Sequence, residues 1–118
     1  MDERRMKKIE AIIDPEMLSR VISALHALDH FPGVTVSDAQ GQGRGEGPGG
    51  KYIPHGPSWA FAKKTRVEIF CTNADADNLV EVICNAARLG EATHGIIAVT
   101  TLDHVVRTRT GQKHDEAL

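Results

Sequence analysis

Residues 41–64 read GQGRGEGPGGKYIPHGPSWAFAKK. Gly41, Gly43, Gly45, Gly47, Gly49, Gly50 and Gly56 fall inside this stretch, together with Pro48, Pro54 and Pro57. Glycine is costly to order and proline lacks a backbone donor, so neither a helix nor a strand ladder survives that density. An irregular segment of about 20 residues inside a small domain is uncommon, and it is usually functional or disordered. Trp59 and Phe61 stand at its far end, where a purely solvating linker would need neither. The stretch is expected to form one long mobile arm, held by the patterned sequence on either side.

On the N-terminal side, Lys7 to Ile13 is an Ile-rich run that suits a strand. Asp14 can cap a helix that opens with Pro15 in its first turn. Met17, Leu18, Val21, Ile22, Leu25 and Leu28 recur at helical spacing and predict one apolar face. Pro32 and Gly33 close the turn, and Val34 to Gln40 reads as a second strand. On the C-terminal side, Thr65 to Cys71 alternates, with Val67, Ile69 and Cys71 facing one way and Arg66, Glu68 and Phe70 the other. Asn73, Ala74 and Asp75 offer caps for a second helix, whose face is Leu79, Val82, Ile83, Ala86 and Ala87. Gly90 is its expected stop. Ile96 to Leu102 is a fourth strand, Asp103 to Thr110 a fifth extended piece, and the chain from Gly111 a polar tail. The order predicts an α+β, ferredoxin-like βαββαβ sandwich with both helices on one face of the sheet. The other face is expected to be apolar and to need cover from further copies of the chain.

The chain has 118 residues, 41% of them hydrophobic, and reads as one domain over 1–118 with its long flexible loop at about 43–64. A net charge of −2 gives no broad electrostatic case for nucleic acid. No apolar run approaches a membrane span, and MDERRMKK lacks the apolar core of a secretory signal. A cytoplasmic protein without direct membrane insertion is expected. Cys71 and Cys84 lie in apolar-patterned segments and are expected to be buried free thiols.

Gly45 to Lys51 fits the first part of a phosphate-binding P-loop, but Tyr52 stands where Ser or Thr should follow, and Pro54 and Pro57 forbid the required helix. The spacing is read as accidental. His26, His30, His55, His94, His104 and His114 match no common metal signature, and no nucleophile can be placed. Arg107 and Arg109, two apart in an extended run, would point the same way, which suits a phosphate chain. Spacing alone supports an ordinary exposed cationic face equally well.

Five pieces in order carry a resemblance. Lys7–Ile13 with Asp14-Pro15, Gly33-Val34-Thr35-Val36, Gly41-Gln42-Gly43-Arg44, Arg66-Val67-Glu68-Ile69 and Val105 to Gly111 together resemble the P-II nitrogen-regulatory signalling proteins over nearly the whole chain. The resemblance implies a homotrimer with a cleft between each pair of subunits, an adenine nucleotide in each cleft, and a T-loop that docks on a target such as a transporter or metabolic enzyme. By position, one wall would use Ile12, Gly41, Gly43, Arg44, Thr93, His94 and Gly95. The neighbouring subunit would supply Gly33, Val34, Thr35, Glu68, Ile69, Phe70, Arg107 and Arg109. Lys64 matches a family lysine near the oxoglutarate site and joins the nucleotide-binding set.

Several positions depart from the family pattern. Gly45 stands where the family commonly has a glutamine that holds magnesium and 2-oxoglutarate. Ile96 replaces a phosphate-binding lysine, Thr93 replaces a glycine, and Pro57 occupies the position of the tyrosine that some members modify. Loss of a cation near the distal phosphates favours AMP or ADP over MgATP as effector. The expected function is regulation rather than catalysis. The alternative is a trimeric metal- or anion-binding module, sensing bicarbonate for example, that has lost nucleotide sensing, with His55 or His94 as ligands.

Overall fold

The computed structural model describes residues 5–43, 48–51, 61–88 and 95–118. Strand β1 (Met6–Ile13) leads through a single 3-10 turn (Pro15–Met17) into helix α1 (Leu18–His26). Strand β2 (Thr35–Gly41), strand β3 (Ala62–Thr72), helix α2 (Asn73–Ala87) and strand β4 (Gly95–Leu102) follow. The four strands form one antiparallel sheet in the order β2-β3-β1-β4. This is the ferredoxin-like arrangement that the element order predicts.

Alternation decides which residues meet the helices. Ile9, Ala11 and Ile13 of β1 and Val67, Ile69 and Cys71 of β3 are buried. They pack with Met17, Val21 and Leu25 from the first helical segment and with Ala76, Leu79, Ile83 and Ala87 from α2. Leu18, Ile22, Leu28, Val80, Val82 and Ala86, with Val34 and Ile97, pack at the margin of the cluster. Arg20 Nε donates to the carbonyl of Ala86 (3.1 Å), which ties α1 to the end of α2 and satisfies a terminal acceptor.

Several local expectations are corrected. Asp14 makes no side-chain cap; its carbonyl accepts from Met17 N (2.9 Å) and its carboxylate is used elsewhere. The cap of α2 lies one residue earlier than expected, where Thr72 Oγ1 accepts from Asp75 N (3.3 Å). Strand β3 begins at Ala62, so residues 62–64 belong to the sheet and not to the loop; Gly41 pairs with Ala62 and Ala39 with Lys64. Cys84 is exposed on α2, and only Cys71 is buried.

The C-terminal segment differs most. After β4 the chain turns back on itself. Val106 bridges Lys113, Arg107 N donates to Gln112 O (2.8 Å), and Gly111 N donates to Arg107 O (2.8 Å). A 3-10 turn (His114–Ala117) follows, and Ala117 is buried. The expected fifth extended piece is therefore one arm of a tight hairpin, and the expected polar tail is its other arm.

The sheet face away from the helices is not the apolar surface that the element order suggests. Lys8, Glu10, Arg66 and Glu68 occupy its centre. Lys8 Nζ lies 3.2 Å from Glu68 and 4.0 Å from Glu10, and Arg66 Nε lies 3.0 Å from Glu10. The pairing register puts Glu10 directly opposite Glu68. Like charges placed so are unfavourable, and the two flanking cations offset them.

Candidate functional site

The sheet register divides the candidate residues into two groups. Ile13 pairs with Gly95, Ile12 with Ile96 and Arg66, and Gly41 with Ala62. Ile12, Gly41, Gly43, Lys64 and Gly95 therefore gather at the end of the sheet where the loop leaves. Thr35 pairs with Glu68, and Lys8 with Phe70, so Gly33, Val34, Thr35, Glu68, Ile69 and Phe70 lie toward the opposite end. Strand β4 also leaves the sheet there, because Leu102 pairs with Met6 and Met6 with Thr72. The hairpin with Arg107 and Arg109 starts from that end. Along β3, Lys64 and Phe70 are six residues apart, or roughly 20 Å at strand rise. One chain therefore keeps the outer members of the two groups, Lys64 and Phe70, apart, while Glu68 lies only two residues along β3 from Arg66, the partner of Ile12.

At the loop end, Lys64 Nζ donates to Asp14 Oδ1 at 2.6 Å, with side chains only 17% and 19% exposed. Nothing in the sequence pattern singled out Asp14 as a partner; it precedes Pro15 and reads as a cap. Gly41 lies against the same lysine: a Cβ there would sit 3.5 Å from Lys64 Cγ. Gly95 has a backbone reason to be glycine. A Cβ at that position would come within 2.9 Å of the carbonyl oxygen of Ile12. Ile96, expected from the resemblance to stand where the family has a lysine, is 66% exposed on the open face opposite Ile12.

At the opposite end, Gly33 has φ 83°, a conformation that side-chain-bearing residues rarely adopt. Phe70 is exposed and Glu68 is engaged by Lys8. The Ile69 side chain is buried in the core, so a ligand could meet only its main chain. Arg107 and Arg109 do not lie on one extended strand. Residues 108–110 form the turn of the hairpin, and Arg107 Nη2 donates to the main-chain oxygen of Leu118 (3.2 Å). The parallel alignment expected from their spacing does not hold. Arg44, Thr93 and His94 lie outside the described residues, as do Gly45, Tyr52, His55, Pro57, Trp59 and Gly90. Among the described residues, no group of three or more His, Cys, Asp or Glu side chains could hold a metal ion. No helix among them is long and apolar enough to cross a membrane.

The family model described as Nitrogen regulatory protein P-II matches residues 6–112. The chain belongs to the P-II family. Relatives include the Nitrogen regulatory protein P-II of Synechocystis sp., 39% identical over 96% of this chain and 100% of its own length. That of Azospirillum brasilense is 37% identical over the same shares. Among solved structures, Arabidopsis thaliana PII bound to citrate matches with a TM-score of 0.78 and 31% identity, covering 97% of this chain and 92% of the other. P-II proteins are regulatory signalling proteins, and they act as trimers on target proteins.

Proposed function

We propose that this P-II protein is a trimeric, non-enzymatic signal transducer of the cytoplasm. It binds an adenine nucleotide between neighbouring subunits, AMP or ADP in preference to MgATP. The bound state passes to a target, a transporter or metabolic enzyme, through the loop that leaves β2 after Gly41 and returns at β3 with Ala62. The observation that carries this reading is the separation of the two residue groups along β3. In this reading Ile12, Gly41, Gly43, Lys64 and Gly95 line one wall, to which the family resemblance alone adds Arg44, Thr93 and His94; Gly33, Val34, Thr35, Glu68, Ile69, Phe70, Arg107 and Arg109 line the other. A cleft shared by two subunits joins walls that one chain keeps apart.

The nucleotide preference rests on Ile96. An exposed isoleucine offers a distal phosphate no donor, and a lost charge-assisted contact costs about 1.5–3 kcal/mol. Phe61, 55% exposed immediately before β3, supports a loop root that meets a partner surface. Nucleotide shifts the loop between states only in so far as it binds them with different affinity.

Calorimetric titration of the full chain with AMP, ADP and MgATP tests the proposal. AMP or ADP is expected to bind at least as tightly as MgATP, and Ile96→Lys should improve MgATP binding by roughly tenfold. Absence of heat with all three nucleotides would overturn it.

A further inference from the structure

Three cations stand on the open face of β1 and β3: Lys8, Lys64 and Arg66. Each has a carboxylate within 4.0 Å, from Glu10, Glu68 or Asp14. The Lys64–Asp14 pair is the shortest of these contacts and the most sheltered. It sits where β3 returns from the loop and where the chain turns from β1 toward α1. Lys64 is thus a built carboxylate-binding position whose occupant is part of the same chain. A carboxylate arriving from solution meets a neutral pair and is repelled by Asp14 at short range, in a place that salt screens poorly.

We infer that Asp14 is a specificity-determining residue: its carboxylate fills Lys64 and keeps small carboxylate effectors from the loop root. The inference rests on the proposed reading of this end of the sheet as one wall of the effector cleft. Its consequence is a narrower sensor. With Lys64 occupied internally, the adenine nucleotide acts without a carboxylate co-effector at that cation. Arg66 is itself held by Glu10 (3.0 Å) and Ser37 (3.4 Å).

The test is titration of 2-oxoglutarate into the full chain, with and without saturating ADP, at constant ionic strength. Wild-type protein is expected to give no binding at millimolar ligand. Asp14→Asn keeps the side-chain shape and removes its charge, and should gain affinity by about tenfold or more. A second change, Lys64→Met, should abolish that gain. Strong binding by the wild type, or no gain in a folded Asp14→Asn variant, would overturn the inference. A second measurement needs no variant. Reductive methylation of the wild type, read by peptide mass spectrometry, should modify Lys64 at least tenfold more slowly than the exposed Lys63; equal rates would also overturn it. If wild type fails to bind ADP while Asp14→Asn gains 2-oxoglutarate, the nucleotide reading falls and the role of Asp14 stands.

Discussion

Cys71 and Cys84 show how much one position can change a residue's chemistry. Cys71 lies on the core face of β3, and burial pushes its thiol from 9.0 up to about 11; the Asp75 carboxylate adds to the rise and Lys7 offsets part of it. Below pH 9.0 the thiol is neutral in both folded and unfolded chains, and its contribution to stability is constant. Between 9.0 and about 11 the unfolded chain ionises while the folded one does not, so stability falls as pH rises through that window. Cys84 follows Ile83 on α2 by a single residue, which rotates it off the buried stripe and leaves it exposed. Ellman's reagent near pH 8 is expected to label Cys84 quickly and Cys71 only after denaturant is added. Two equally fast thiols in the folded protein would contradict the burial of Cys71. An apolar-patterned segment predicts buried neighbours, but it does not place every member of the segment inside.

At the scale of elements, helix α2 offers a direct comparison between cap candidates. Asn73 and Asp75 have the right chemistry, yet Thr72 has the extended backbone (φ −76°, ψ 158°) that a cap needs, and its hydroxyl accepts from Asp75 N. Thr72→Ala should cost about 1 kcal/mol and lower the melting temperature, whereas Asn73→Ala should cost less. Equal losses at both positions would put the cap elsewhere. The strands and helices were legible because burial imposes a period. Val67, Ile69 and Cys71 alternate, and Val21 and Leu25 repeat at helical spacing, so sequence order translates into faces. The C-terminal hairpin has no such signature. Its fold-back is held by main-chain bonds around Gly111, and the alternation of Arg107 and Arg109 imitates a strand. Gly111, with φ 74°, was the available turn signal. The candidate site was legible only by resemblance, residue by residue. The Lys64–Asp14 pair joins positions fifty apart in the chain, which no local pattern encodes.

At the scale of the molecule, the open sheet face has to be explained together with assembly. The element order led to an apolar face covered by other copies. Instead, Lys8, Lys64 and Arg66 are balanced by Glu10, Asp14 and Glu68, so the face carries three charges of each sign. Phe70 and Ile96 add exposed apolar surface on the same side. A face that is charged but neutral overall can be buried against a copy if every ion keeps its partner; a single unpaired ion there would be costly. Trimer formation therefore predicts a specific sensitivity. Light scattering at micromolar concentration should give a mass near three times 12.8 kDa for the wild type. Glu10→Gln removes the carboxylate shared by Lys8 and Arg66, and should shift the equilibrium toward smaller species. If the face is buried on assembly, that loss should be about 3–5 kcal/mol, the cost of stranding a desolvated cation. If it stays in water, the same change should cost less than about 1 kcal/mol and leave the mass unaltered. A wild-type monomer would remove the neighbour that the divided site requires.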